Sequence, residues 1–127
     1  MVNVNMVSIL NASKIFNDIS TINFPAVTAF KIARIQREMN KEIEAFEKER
    51  AAIAQKYGER DDSGNLKVDN GNVIIQADKI EECNQELEAL FSTEISLNVN
   101  KLNFDEVNGA EMTAQQAMGI IDFIEME

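Results

Sequence analysis

The sequence predicts an α+β fold: a long helix packed on a second helix as a helical hairpin, with a small antiparallel sheet. Three observations carry this expectation. Apolar residues recur at helical spacing from Pro25 to Tyr57, an Asn-Gly pair separates two short β-branched runs within 66–75, and residues 94–100 alternate between polar and apolar. The 127 residues read as one domain, 1–127, with residues 1–10 a candidate extended arm or strand.

Taken in order, Val2, Val4 and Met6 alternate with asparagines, which suits a strand or an extended arm. Asn11 is placed to cap a short helix running through Ile19, with Ile15, Phe16 and Ile19 inward. Pro25, the sole proline, suits the first turn of the long helix, where its missing N–H costs nothing. The seam of that helix is Ile32, Ile35, Met39, Ile43, Phe46, Ile53 and Tyr57, at steps of 3, 4, 4, 3, 7 and 4. These seven residues are the candidate packing or interaction seam. A helix of this span is a rod roughly 50 Å long at about 1.5 Å per residue. A chain of this size collapses to a globule only about 30 Å across. Part of the rod is therefore expected to need partners, either other helices of the chain or a second copy.

Glu44 and Lys48, and Glu47 and Arg50, stand at pairing distances along the long helix. Lys31, Arg34 and Lys41, with Arg37 beside them, form a basic stripe that is either a solvated face or a match for the acidic second half. Gly58 suits the residue after a helix C-terminus. Leu66 to Val68 and Val73 to Ile75 flank Asn70-Gly71, the strongest short-range hairpin signal in the chain. Asp78, with Glu81 three residues on, is placed to cap the second helix of the hairpin, 78–91. That helix presents Ile80, Cys83, Leu87, Leu90 and Phe91 at helical spacing, with Glu81, Glu82, Glu86 and Glu88 in water. Ile95, Leu97 and Val99 are the apolar side of a half-buried strand. Its candidate pairing partners are the hairpin or the N-terminal segment containing Val2 and Val4. Thr113 and Gln116 spell a capping box, with Met112 and Ala117 as its hydrophobic staple. The last helix, from Ala114 to about Glu125, is expected to bury Ala117, Ile120, Ile121 and Ile124.

Chemistry-bearing patterns are sparse. There is no histidine, which removes the commonest general base and metal ligand, and a single cysteine excludes an internal disulfide. Asp61, Ser63 and Asn65 start like a calcium loop, but Leu66 stands where glycine is required and Asn72 where the bidentate glutamate belongs. Carboxylate pairs such as Asp61-Asp62, Glu81-Glu82 and Asp105-Glu106 lie in polar stretches rather than the apolar settings that acid/base work uses. No catalytic, cofactor-binding or metal-binding residue is assigned, no cofactor is expected, and the chain is expected not to be an enzyme.

The net charge of −10 divides unevenly. Residues 1–58 hold eight Lys/Arg against six Asp/Glu, and residues 59–127 hold four against sixteen. Such a split suits complementary packing within the chain or between copies. It disfavours free nucleic acid, which needs a concentrated basic surface. No apolar run is long enough to span a membrane, and the N-terminus lacks the cationic start of a secretory signal.

Several motifs in the centre of the chain carry a family resemblance. Lys31-x-Ala33, Phe46-Glu-Lys-Glu-Arg50, Lys56-Tyr-Gly58, Gly64-Asn65, and Glu86-Leu-Glu-x-Leu90 ahead of Glu94-Ile-x-Leu97 resemble an uncharacterised family of small acidic bacteriophage-encoded proteins. The resemblance covers roughly residues 25–127. It extends to the ending, since those proteins close in a short acidic helix, matched here by Phe123-Ile-Glu-Met-Glu127. It implies a phage origin and supplies no catalytic residues.

The functional expectation is a non-enzymatic protein–protein interaction protein of a bacteriophage, a homo-oligomeric virion or assembly component. The alternative is a phage-encoded inhibitor of a host defence system or host enzyme. The expected partners are further copies of itself and other phage or host proteins, with no free nucleic acid and no membrane. The expected location is the host cell cytoplasm or the virion.

Overall fold

A computed structural model of the chain describes residues 1–125, and the fold is mixed helix and sheet. The chain falls into two compact units, one formed by Met1–Ile43 with the segment from Glu94 onward, the other by Glu44–Thr93. A single helix belongs to both.

The first unit opens with strand β1 (Val2–Asn5) and runs directly into helix α1 (Met6–Ile19). The helix begins five residues before the expected cap at Asn11. The cap is Asn5, in extended conformation, whose side-chain oxygen accepts the Ser8 N–H at 2.9 Å. Met6, Ile9, Ala12, Phe16 and Ile19 then fall on one buried face, while Asn11 is exposed and Ile15 only half-buried. The alternation of Val2, Val4 and Met6 had concealed the switch, because Met6 fits both the strand period and the helix period.

Helix α2 spans Ala26–Tyr57, and the carbonyl of Pro25 accepts the Ala29 N–H at 3.0 Å. In the first unit its Ile32, Ile35 and Met39 are buried. Strand β4 (Glu94–Leu97) pairs antiparallel with β1, Val2 opposite Leu97 and Val4 opposite Ile95. Val99 is buried but lies beyond the strand, where the Val99 N–H folds back to the Leu97 carbonyl at 2.9 Å. The strand is thus shorter than the alternation over 94–100 predicts.

Strand β5 (Leu102–Asn103), the single-turn helix α4 (Phe104–Val107) and helix α5 (Ala114–Ile120) follow. The Thr113–Gln116 capping box forms in both directions, at 2.9 and 3.1 Å. The expected helix to Glu125 does not. It ends at Ile120, tightens into a 3₁₀ turn over Ile121–Phe123, and becomes strand β6 (Ile124–Glu125), parallel to β5. This change of period alters which residues face inward. Ile120 and Phe123 are buried, Ile124 is half-buried, and Ala117 and Ile121 are exposed. Of the acidic terminal helix expected at 123–127, Phe123 closes the 3₁₀ turn, Ile124–Glu125 are strand, and the last two residues lie outside the described ones. The Phe16 and Phe123 rings meet edge to face, centroids 5.7 Å apart.

The second unit holds the C-terminal half of α2, a hairpin of β2 (Val68–Asp69) and β3 (Asn72–Val73), and helix α3 (Ile80–Phe91). Asn70 and Gly71 take φ of 52° and 81°, the paired left-handed conformations of a type I′ turn. The Phe46 and Phe91 rings meet at a tilt of 59° with centroids 5.1 Å apart, joining α2 to α3 as a helical hairpin. A 3₁₀ turn, Ala77–Lys79, precedes α3, and neither Asp78 nor any other side chain caps it. Ile80, expected inward, sits at that helix start and is exposed.

Gly58 is required by space rather than by conformation. A Cβ there would meet the Ala54 carbonyl oxygen at 2.7 Å, Leu66 Cδ2 at 2.6 Å and Val73 Cγ1 at 2.8 Å. The chain leaving α2 runs against the hairpin, with the Glu59 N–H donating to the Ile74 carbonyl at 2.7 Å and the Gln76 N–H to the Tyr57 carbonyl at 2.9 Å.

Candidate interaction surface

The seven seam residues divide between the units. Ile32, Ile35 and Met39 are buried in the first, and Phe46 and Tyr57 in the second. Ile43 and Ile53 are half-buried. The seam therefore serves the chain's own packing at most of its positions. The large exposed apolar side chains of α2 are Val27 and Phe30, off the seam, 67% and 77% exposed. They share a face with Arg34, Arg37 and Lys41, at steps of three and four residues.

Polar groups on the helices pair both along a helix and between distant segments. Lys31 donates to Glu106 Oε1 at 2.9 Å, one meeting of the basic stripe with the acidic second half. The Asn103 backbone N–H donates to the same oxygen at 3.0 Å. That backbone bond first, and the lysine second, hold the Glu106 carboxyl below its ordinary range. Lys41 pairs with Glu38 at 3.1 Å and Arg50 with Glu47 at 3.7 Å, whereas Glu44 and Lys48 do not pair among the described residues.

In the second unit, Lys56 Nζ lies 3.1 Å from Glu86 Oε1 and 5.0 Å from the centre of the Tyr57 ring. Glu86, expected in water, is partly covered, and its Oε2 is buried without an aligned hydrogen bond. The Tyr57 hydroxyl and then Lys56 hold the Glu86 carboxyl low, and Glu86 in turn raises both Tyr57 and Lys56. All three shifts run away from neutral pH, so that none of the three groups changes its charge near pH 7. Acid/base chemistry uses the opposite tuning. Cys83 is buried, and its thiol is pushed up by that burial and then by Glu86, which suits a packing residue better than a nucleophile. Asp61 Oδ1 accepts the N–H groups of Ser63 and Asn65 at 2.9 and 3.0 Å, so this carboxylate closes a turn.

The most distinctive surface lies in the first unit. Phe104, Val107, Met112, Met118, Ile121 and Ile124 line a cleft of about 290 Å³, together with alanines, Ile120 and Asn108. Asn108 is the only polar residue in the lining. Phe104, Met118 and Ile121 are exposed, Met118 at 73%. Small-molecule sites usually occupy about 300–1,000 Å³ and contain several converging polar groups. This cleft is at the bottom of that range and has little with which to orient a polar ligand. It has room for apolar side chains, and two methionines give it an adaptable wall.

Helical periodicity places Ile121 and Ile124 in the core, and nothing in the pattern singles out Met118, Val27 or Phe30. Part of the signal was present. Val27 and Phe30 are apolar at positions the seam does not use. The cleft itself was hidden by the expected continuation of α5, which would have turned Ile121 and Ile124 inward. Comparison with protein-family models, curated proteins and solved structures gave no significant match. No helix among the described residues is long and apolar enough to cross a membrane.

Proposed function

We propose that this chain is a non-enzymatic protein–protein interaction protein of a bacteriophage, a self-assembling component of the virion or of its assembly. The observation that carries the interaction reading is the open apolar cleft beside Phe104, Met118 and Ile121, on a chain that exposes Val27 and Phe30 as well. Large exposed apolar side chains gathered around a cleft mark a surface that is covered in use. The phage setting rests on the motif resemblance in residues 25–127. Sedimentation velocity at tens of micromolar should report a mass above the 14.3 kDa of one chain, and the protein should copurify with virions. A strict monomer absent from purified particles would sink this reading.

The acidic second half, four Lys/Arg against sixteen Asp/Glu, favours one alternative. A phage-encoded inhibitor of a host defence system or host enzyme would use that surface against a basic partner. Absence from virions, together with salt-sensitive capture of a host protein, would favour the inhibitor.

A further inference from the structure

The geometry points to a second copy of this chain as the occupant of the apolar cleft, entering with Val27 and Phe30 from the first turns of α2. This inference rests on the self-assembly reading and deepens it by naming the two surfaces that meet. Both belong to the first compact unit.

Three observations support the match. The first is shape and chemistry. The cleft of about 290 Å³ is lined almost wholly by apolar groups, and it suits one aromatic and one aliphatic side chain. Phe30 and Val27, one helical turn apart and 77% and 67% exposed, are such a pair. Aromatic side chains dominate interface energetics when they fill a pocket on the partner. The second is charge. Asp105, Glu111 and Asp122 are exposed on the segments that build the cleft, and none of the three forms an ion pair among the described residues. Arg34 and Arg37 continue the Val27–Phe30 face, are exposed, and likewise have no ion-pair partner among the described residues. An apolar knob followed by cations thus has its counterpart in an apolar hole built from segments that carry exposed anions. Such complementarity sets register and partner choice. The third is rigidity. The knob stands on a 32-residue helix, so little backbone order must be gained on docking.

The arrangement can close as a two-fold pair, each copy giving a knob and a hole, or continue head to tail. Both use the same contact.

The test uses the full chain and two variants at exposed positions, Phe30→Asp and Met118→Asp, each checked for unchanged circular dichroism. Sedimentation velocity is run on the wild type, on each variant alone, and on the two mixed. The inference expects the wild type to associate and each variant to lose association by on the order of tenfold or more. The mixture should form a two-chain species, because Met118→Asp keeps its knob and Phe30→Asp keeps its hole. Raising the salt concentration should weaken the wild-type complex through the Arg34 and Arg37 contacts. Loss in both variants without rescue on mixing overturns the inference, as does loss in only one. A wild-type oligomer indifferent to both substitutions overturns it too, while leaving self-assembly standing and the cleft free for a different protein. A wild type that stays monomeric overturns both this inference and the self-assembly reading.

Discussion

The two compact units differ in how their cores are made. Phe16, Phe123, Ile9, Ile35, Met39, Leu97, Leu102 and Ile120 are the largest fully buried side chains, and all eight belong to the first unit. They come from both ends of the chain, joined by the β1–β4 pairing, with β5–β6 closing the C-terminal stretch on itself. The second unit buries Phe46, Tyr57 and Cys83 and is otherwise assembled from neighbouring segments: the end of α2, a two-residue-per-strand hairpin, and α3. The first is a non-local core with high burial. The second is a local assembly with little burial, tied by the Phe46–Phe91 contact and backbone bonds around Gly58. Local units with few buried apolar groups open at lower free energy than the core. α2 offers an internal control, because its hydrogen-bonding pattern is continuous while its tertiary support changes at Ile43.

The largest expected effect is in the first core. Phe16→Ala removes a fully buried ring and its edge-to-face partner, and should cost about 3–5 kcal/mol in denaturant unfolding. An unchanged midpoint would break the account of that core. Phe46→Ala should cost about 3 kcal/mol, with the loss concentrated in the second unit. In native-state hydrogen exchange its amides at Lys67 and Ile74, which donate to the Glu59 and Lys67 carbonyls, should lose protection while Ile9 and Phe16 keep theirs. Joint loss across both units would erase the comparison. In the wild type, helical amides after Ile43 should exchange faster than those between Ile32 and Met39.

Gly58→Ala should destabilise by about 1–3 kcal/mol, since the added Cβ meets a fixed carbonyl at Ala54 as well as two movable side-chain ends. A neutral effect would show that the hairpin can shift away from α2. The smallest effect is electrostatic. Glu106 has a depressed carboxyl pKa, so its contribution to stability is present above the unfolded value of about 4.3 and is lost as pH falls through the folded value. With Lys31 37% exposed, the pair is worth at most about 1 kcal/mol after solvent screening. Lys31→Met should lower the melting temperature slightly at pH 7, and the difference should shrink as pH falls below 4. A difference that persists at pH 3 would assign the effect to packing.

Features that depend on a few adjacent residues were legible in the sequence. The α+β class, the span of α2, the Asn70-Gly71 turn and the Thr113–Gln116 box each rest on helical periodicity or on short-range hydrogen bonding, which the residues specify themselves. Tertiary structure decided what those rules leave balanced. Met6 satisfied two periods, and pairing with Glu94–Leu97 held only Val2–Asn5 as strand, leaving Met6 to the helix. Isoleucines after Ile120 fitted a continuing helix, but pairing with Leu102–Asn103 drew Ile124–Glu125 into an extended strand and buried Phe123 instead. Gly58 suggested a left-handed helix end, whereas its place is set by the approach of Leu66 and Val73. The apolar cleft is a product of the same decision at Ile120. Burial depends on which distant segment occupies the other side, and no local pattern carries that information.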